Sequence, residues 1–361
     1  MIFNFFTLSI TILFIVNAFA QLYYAVKLRK KFSEKHNIIN SMLVFLLWIL
    51  AGILYPFFYI RDDAHTRWFQ SLSMQIICIY APLLIFFILF YQHRFVIKNN
   101  NELKHERTIE NFLEKMDSVY KDKSGNKNYP LITDLHRKAF HLIPVVVIIF
   151  LWFFAVKIWD GLWDADLFWG ISGEEYAVFL ILTVGYTGIL IFAVLDYVRL
   201  SYIFEKKNIY HLMPSSISNI LAKTLKPNEL YEFTKPVALV LSFVPIFFLP
   251  ISIFSATALI STLGDGAASL FGIRFGKKNF PKGSKKTIIG YLAGFLSSLG
   301  CSIIVFLIFE PFMALIKIIV ISISGALTFL IIDLLNLKID DNITNPIFCG
   351  LIMFLIYLYI L

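Results

Sequence analysis

Long apolar runs follow one another along this chain, separated by short polar segments. Of its 361 residues, 58% are hydrophobic and only 16% are charged, against roughly 25% charged in a typical soluble domain. A core surrounded by water cannot bury that much apolar surface, so the runs predict helices that cross a bilayer. The predicted fold class is all-α: a polytopic integral membrane protein with about ten transmembrane helices.

Ten spans are predicted from these runs. The third run is longer than one crossing needs, so its last turns are expected to emerge into water. The sixth and seventh share one run, which we divide at Pro250. The sixth is then 13 residues long, short of the roughly 20 that cross a bilayer, and a re-entrant segment is the alternative. The predicted spans are 2–26, 38–60, 68–97, 139–158, 176–198, 236–248, 250–273, 288–309, 312–337 and 343–361.

The positive charges predict the orientation. Segment 159–175 contains five acids and no lysine or arginine. By contrast, 28 of the 32 lysine and arginine residues fall in segments 27–37, 91–138, 199–235 and 274–287 and at Lys338. Because basic loops stay on the cytosolic side, we expect both termini outside and the basic loops inside. Basic residues follow the first run rather than precede it, which predicts a retained anchor and not a cleaved signal peptide.

Three regions are predicted from this layout. Residues 1–97 form an N-terminal membrane region of three helices, 98–136 a cytosolic insert, and 137–361 a second membrane domain. Within the insert, apolar residues recur at helical spacing, which predicts one amphipathic helix over 101–121, ended by KSGNKN at 123–128. This helix is expected either on the membrane surface or packed on the catalytic loops.

Segment 263–290, LGDGAASLFGIRFGKKNFPKGSKKTIIG, is the most glycine-rich and most basic part of the chain. Glycines let backbone approach a ligand, and lysine and arginine balance phosphate charge. One carboxylate, Asp265, stands among them, and Mg²⁺ usually takes one or two carboxylates plus phosphate oxygens. The segment predicts a nucleoside triphosphate site at the membrane surface. The alternative is a glycine-rich helix followed by an ordinary cytosolic lysine loop.

Further polar residues fall at the predicted cytosolic ends of spans, where ionisable groups are functional candidates. Each also has a structural interpretation: interfacial lysine and arginine, a histidine bound to a carbonyl, an i,i+3 ion pair, or a solvated turn. The candidates are Arg137, Lys138 and His141 on one helix face, Asp196 with Arg199, Glu229, Asp333, and Asp340, Asp341 and Asn342.

With these residues in view, the chain resembles the CTP-dependent lipid-alcohol kinases, the family of dolichol kinase, phytol kinase and CTP-dependent diacylglycerol kinase. The resemblance covers about the last 225 residues, and it implies that 137–361 is a polyprenol-kinase-like catalytic membrane domain. Two departures stand out: Ile289 replaces a usual glutamate, and Asp333 replaces another. The matching segments are RKAFH at 137–141, DYVR at 196–199, GDGAASLFGIRFGK at 264–277, KKTIIG at 285–290 and DDNITNP at 340–346.

The resemblance implies phosphoryl transfer from CTP, with Mg²⁺, to the hydroxyl of a membrane lipid alcohol, dolichol or another polyprenol. Asp265 would hold Mg²⁺, with Asp341 and Asn342. Lys286, counted among the catalytic residues, would neutralise phosphate charge together with Lys285, Arg137 and Lys138. Either His141 or Asp196 would take the proton from the lipid hydroxyl. The residues implied for the nucleotide are Arg137, Lys138, Gly264, Gly266, Gly272, Gly276, Lys277, Lys285, Thr287 and Gly290.

Three functions of different classes stay open. The first is the lipid-alcohol kinase, which releases CDP. The second is a cytidylyltransferase that activates a lipid phosphate with CTP and releases pyrophosphate; those enzymes have a similar glycine–aspartate segment. The third is a non-catalytic membrane scaffold or transporter. The expected partners are CTP, the lipid and the bilayer, with no nucleic acid. The expected location is the cell membrane in a prokaryote or archaeon and the endoplasmic reticulum membrane in a eukaryote.

Overall fold

The computed structural model describes residues 3–59, 61, 63–98, 100–120, 131–204, 207–281, 284 and 286–360. It is 83% helical, and the described residues include no β-strand, only an isolated antiparallel bridge between Asn279 and Thr287. The all-α prediction is confirmed.

The helices are numbered in chain order. They are α1 Phe5–Lys31, α2 Ile38–Leu54, α3 Ala64–Met74, α4 Ala81–Tyr91, α5 Asn101–Glu106, α6 Ile109–Tyr120, α7 Leu131–Phe153, α8 Ala165–Trp169, α9 Gly173–Leu200, α10 Ser215–Thr224, α11 Lys235–Ile246, α12 Ile251–Leu259, α13 Asp265–Phe275, α14 Ile288–Phe309, α15 Leu315–Leu335 and α16 Asp341–Ile360.

Within the described residues, nine helical stretches are long and apolar enough to cross a membrane. The predicted sixth span corresponds to α11, which at 12 residues is too short to cross as a straight helix. Pro250 caps the start of α12, so the predicted division between the sixth and seventh spans is confirmed. A multi-pass membrane protein of about ten helices is therefore what the chain forms.

Short π-helical turns join several of these helices into longer spans. Gln75–Tyr80 connects α3 to α4, which makes Ala64–Ile97 a continuous 34-residue stretch. Ile260–Gly264 likewise connects α12 to α13. A π turn widens the helix by one residue and re-aims the side chains that follow it. Asp265 is the first residue after the second of these turns.

The chain packs as two compact units. The first contains the described parts of Met1–Asn128 and Val147–Val237, and the second contains those of Tyr129–Val146 and Ala238–Leu361. This division differs from the three predicted regions, because residues 147–237 pack with the N-terminal part of the chain. The predicted regions concern function, and they remain predictions.

In the first unit, α1, α2 and α9 pack through aromatic side chains and a few buried hydrogen bonds. Phe14 lies between Trp48 and Tyr186, with ring centroids 5.0 and 4.6 Å away. The Tyr186 hydroxyl donates to the Ala51 carbonyl at 2.8 Å. Because an apolar environment offers these groups no water, such bonds hold the helix ends in register.

The predicted single helix over 101–121 is wrong: the structure has α5 and α6, with a break at Arg107 and Thr108. Thr108 begins a new helix, since its hydroxyl accepts from the Asn111 N–H at 3.3 Å. The apolar face of α6 buries Phe112 and Met116, and α6 packs on α10. The helix is therefore covered by protein rather than laid on a membrane. The predicted terminator at 123–128 lies outside the described residues.

In the second unit, α12 is the central helix. Within Ile251–Phe275, 67% of the most apolar window is buried, against 44% or less in the other spans. Ile253, Ala256 and Ile260 pack with apolar side chains of α14, α15 and α16. The outer helices leave large apolar residues exposed, as lipid-facing surfaces do.

Candidate functional site

The candidate site in the second unit begins where α7 packs on α13. Asp134 of α7 is fully buried and accepts from the Ser269 hydroxyl at 2.6 Å. One turn further along α7, the Lys138 ammonium donates to the carboxylate of Asp265. Because Ser269 follows Asp265 by four residues, the two contacts lie on one face of α13. Together they align the two helix starts.

The start of α7 carries its charges on a buried face. Arg137, Lys138 and His141 are 8%, 7% and 4% exposed. Arg137 also donates to Asp134 at 2.9 Å. Interfacial side chains would extend into water, whereas these point into protein. α7 starts well before the predicted fourth span, which places the cations inside the helix rather than at its end.

Buried charges without partners are costly, so these positions need their carboxylates. The exposed fraction of the Asp265 side chain is 19%. That exposure leaves one edge of the carboxylate accessible to an incoming ligand. Gly266, the next residue, is free of crowding: a Cβ there would approach only Lys138, at 3.9 Å.

The glycines of 264–290 have a different role from the one predicted for most of them. A Cβ at Gly290 would lie 2.7 Å from the Ala268 carbonyl oxygen, and one at Gly264 would collide with the Ser298 hydroxyl. Gly272 and Gly276 are similarly close to Thr287. These glycines let α13 and α14 pack backbone to backbone, as small residues do between membrane helices. Among the described glycines of this segment, Gly266 has the most open space beside its backbone.

A second ion pair joins the basic loop to α15. The Lys286 ammonium donates to the Asp333 carboxylate and also to its main-chain carbonyl, the latter at 3.1 Å. Burial by itself lowers the pKa of Lys286, but the carboxylates of Asp333 and Asp341 outweigh it and leave the pKa raised. Lys286 therefore stays positively charged at physiological pH.

The 340–342 segment caps α16. The Asp340 carboxylate accepts from the Asn342 N–H at 3.0 Å and from its side-chain amide at 2.8 Å. The same amide donates to Asp341 at 3.2 Å. The solvated-turn interpretation does not apply, since Asp340 and Asn342 are 8% and 5% exposed. These bonds use the two nitrogen donors of Asn342 and hold it beside Asp341, so both residues stay candidate ligands.

Three carboxylates belong to one electrostatic cluster. Asp333 interacts electrostatically with both Asp265 and Asp341, and Lys286 interacts with Asp333 and Asp341. The described residues hold no group of three or more His, Cys, Asp or Glu side chains in metal-binding proximity. Mg²⁺ needs only one or two protein carboxylates when a nucleotide supplies phosphate oxygens. Asp265 and Asp341, which each interact electrostatically with Asp333, are the candidates for such a site.

Three more residues were predicted to bind the nucleotide: Thr287, Lys277 and Lys285. Thr287 caps α14 by accepting from the Gly290 N–H at 3.2 Å, which is a structural role. Lys277 is exposed on the loop. Lys285 lies outside the described residues.

Asp196 belongs to the first unit. One of its carboxylate oxygens accepts from Arg199 at 2.9 and 3.2 Å, and the other accepts from the N–H and hydroxyl of Thr234 at 2.7 and 2.8 Å. Arg199 also donates to the carbonyls of 229, 230 and 232. Four bonds use the capacity of the carboxylate. The pair holds the segment before α11 against the end of α9.

Sequence reasoning did not select Asp134 or Ser269, and it left Asp333 out of the candidate site. Asp134 stands three and four residues before Arg137 and Lys138, a helical spacing that pairs charges. Ser269 stands one helical turn after Asp265. Those two spacings were the available signals.

No family model, curated protein or solved structure matches this chain.

Proposed function

We propose that the chain is a CTP-dependent kinase that phosphorylates the hydroxyl of a membrane lipid alcohol, a polyprenol such as dolichol. The observation that carries the proposal is the pairing of Lys138 with Asp265 and of Lys286 with Asp333 in one electrostatic cluster. The two ion pairs join residues that are distant in sequence, and three of the four, Lys138, Asp265 and Lys286, lie in segments on which the family resemblance rests.

The cluster suits phosphoryl transfer because that reaction depends on positioning and charge neutralisation more than on covalent chemistry. Lys286, Lys138 and Arg137 would balance the phosphates of the nucleotide. Asp265, with Asp341, would hold Mg²⁺, which neutralises phosphate charge and orients the transferred group. Lys138 would move its ammonium from the Asp265 carboxylate to a phosphate oxygen, so each charge keeps a partner.

Two observations support His141 rather than Asp196 as the proposed proton acceptor. His141 lies on the same buried face of α7 as Lys138, whereas the Asp196 carboxylate already accepts four hydrogen bonds. In the proposed step, the lipid hydroxyl gives its proton to His141 and its oxygen attacks the terminal phosphorus. The bond to the bridging oxygen breaks, and CDP leaves.

The test uses purified full-length protein in lipid nanodiscs with CTP labelled at the α- or the γ-phosphate. Acceptors are a polyprenol, dolichol, diacylglycerol, phosphatidate and a polyprenyl phosphate. Transfer of γ-label to a lipid alcohol with release of CDP is expected, and Asp265→Asn should abolish it. Release of pyrophosphate with a lipid phosphate as acceptor would instead establish the cytidylyltransferase. Absence of CTP binding would leave the scaffold or transporter.

A further inference from the structure

A polar cleft lies in the first unit, between the start of α6 and the start of α10. It is a shallow cleft that opens to solvent. Its lining combines two cations, one acid, an amide and several hydroxyls, over a floor of Phe112 and Met213. Nothing in the proposed kinase reaction uses it, and its residues lie in segments predicted to be cytosolic.

One wall of the cleft is the N-terminus of α10. The residue at the N-cap is Pro214, which has no side-chain acceptor, and no side chain caps the helix. The first N–H of α10 to find a helical acceptor is that of Ser218, which bonds to the Pro214 carbonyl at 3.0 Å. The N–H groups of the first turn therefore remain available at the positive end of the helix dipole.

A buried hydroxyl points to a missing partner. Tyr210 is 2% exposed and lines the cleft. Its hydroxyl makes no hydrogen bond of normal geometry within the described part of the chain, although the Ser218 side chain lies near it. A buried hydroxyl without a partner costs free energy, which a bound acceptor would recover.

Arg107 is held in place at the mouth of the cleft. It donates to Ser215 at 3.2 Å and to Gln92 at 2.9 Å, through Nε and Nη1. Those bonds fix the guanidinium while no hydrogen bond from Nη2 is found among the described residues. Lys115 adds a second cation, and its pairing with the exposed Glu106 is loose, at 3.8 Å.

We infer that this cleft binds a phosphate group, held by the first-turn N–H groups of α10, the Tyr210 hydroxyl and Arg107. Helix N-termini bind phosphate through N–H groups and dipole together, and arginine suits its geometry. The phosphate comes either from solution or from an anionic lipid headgroup, since both present the same oxygens.

Hydrogen–deuterium exchange, measured at the backbone amides of residues 211–220, reports binding at the cleft itself. It does so even if phosphate also binds in the second unit. The full-length protein is placed in phosphatidylcholine nanodiscs, with inorganic phosphate or with chloride at matched ionic strength. A parallel sample replaces part of the lipid with phosphatidate. We expect slower exchange in the first turn of α10 with inorganic phosphate, with phosphatidate, or with both. A response to phosphatidate alone identifies a lipid headgroup as the ligand, and a response to inorganic phosphate identifies phosphate from solution.

Variants decide whether the protection belongs to the cleft. Arg107→Gln should weaken it about tenfold or more, as loss of a charge-assisted hydrogen bond does. Tyr210→Phe keeps the ring and tests the hydroxyl if Arg107→Gln fails to fold. Lys223→Gln removes an exposed charge from the far end of the same helix and should change nothing. Absence of protection in both arms would overturn the inference. Protection in Arg107→Gln and Tyr210→Phe equal to that in the unsubstituted protein would overturn it as well.

Discussion

Lys138 donates a hydrogen bond to the carboxylate of Asp265, joining two residues that are 127 positions apart. The lysine is 7% exposed and the aspartate 19% at the side chain, so the pair lies mostly out of water. Removing one partner of such a pair costs more than the pair itself contributes, because the other charge is left uncompensated. The pair therefore contributes to the packing of α7 on α13, and in the proposed reaction its two charges would be the ones used by the nucleotide and Mg²⁺.

Replacing Asp265 by asparagine should abolish turnover per folded molecule, and it should also lower the stability because the Lys138 ammonium loses its countercharge. Asparagine keeps the shape and can still accept from Lys138, but it lacks the charge that Mg²⁺ requires. We expect a loss on the order of 10³-fold or more in kcat, measured with labelled CTP in nanodiscs. Asp166→Asn, on the predicted outer segment, is the matched control. Substantial remaining turnover in the folded variant would show that Asp265 is structural.

Substitutions at Asp196 and at His141 should have different effects: the first should lower the free energy of unfolding, and the second should lower kcat. Asp196→Asn breaks a buried, fully bonded ion pair and should destabilise the protein by about 3–5 kcal/mol, yet keep turnover per folded molecule at a permissive temperature. His141→Gln should fold and lower kcat by roughly 10²–10⁴-fold. Thermal unfolding and kcat are measured on both. A folded, inactive Asp196→Asn variant would reverse the assignment of the proton acceptor.

Two glycines of α14, Gly290 and Gly300, allow the close packing of α13 on α14 to be tested. A Cβ at Gly290 would meet the Ala268 carbonyl oxygen at 2.7 Å, whereas one at Gly300 would have nothing within 4 Å. Gly290→Ala should therefore destabilise the protein by about 1–3 kcal/mol through overpacking, and Gly300→Ala should be neutral. Thermal unfolding in detergent compares them. Equal stability of the two variants would contradict close packing of α13 on α14.

Stability should fall as the pH drops below the usual histidine pKa of about 6.5, and His36 should be one cause. Burial lowers the pKa of His36, Arg29 lowers it further, and the Tyr231 carbonyl only partly offsets them. The unfolded chain therefore binds more protons than the folded one in that range, so stability rises with pH. His36→Gln should flatten this dependence, whereas the exposed His105→Gln should not. An unchanged profile in His36→Gln would exclude this cause.

Several helices were predictable because hydropathy is a local property of the chain. The eighth predicted span matches α14 residue for residue, and Pro250 separates α11 from α12 as expected. The break between α5 and α6 was missed, because Arg107 and Thr108 do not interrupt the apolar pattern. It depends on the Thr108 cap and on Arg107 bonds to Gln92 and Ser215.

By itself, the sequence determined the membrane class, the approximate spans, the predicted orientation and the candidate charges. Only the tertiary structure decided which polar and charged side chains contact one another. Asp134 contacts Ser269 across 135 positions, and Lys286 contacts Asp333 across 47. It also decided that Gly264 and Gly290 serve helix packing, and that Asp196 is committed to Arg199 and Thr234. The physical reason is that apolar transfer free energy accumulates residue by residue along the chain. An ion pair, by contrast, depends on the distance between two side chains, which only helix packing sets.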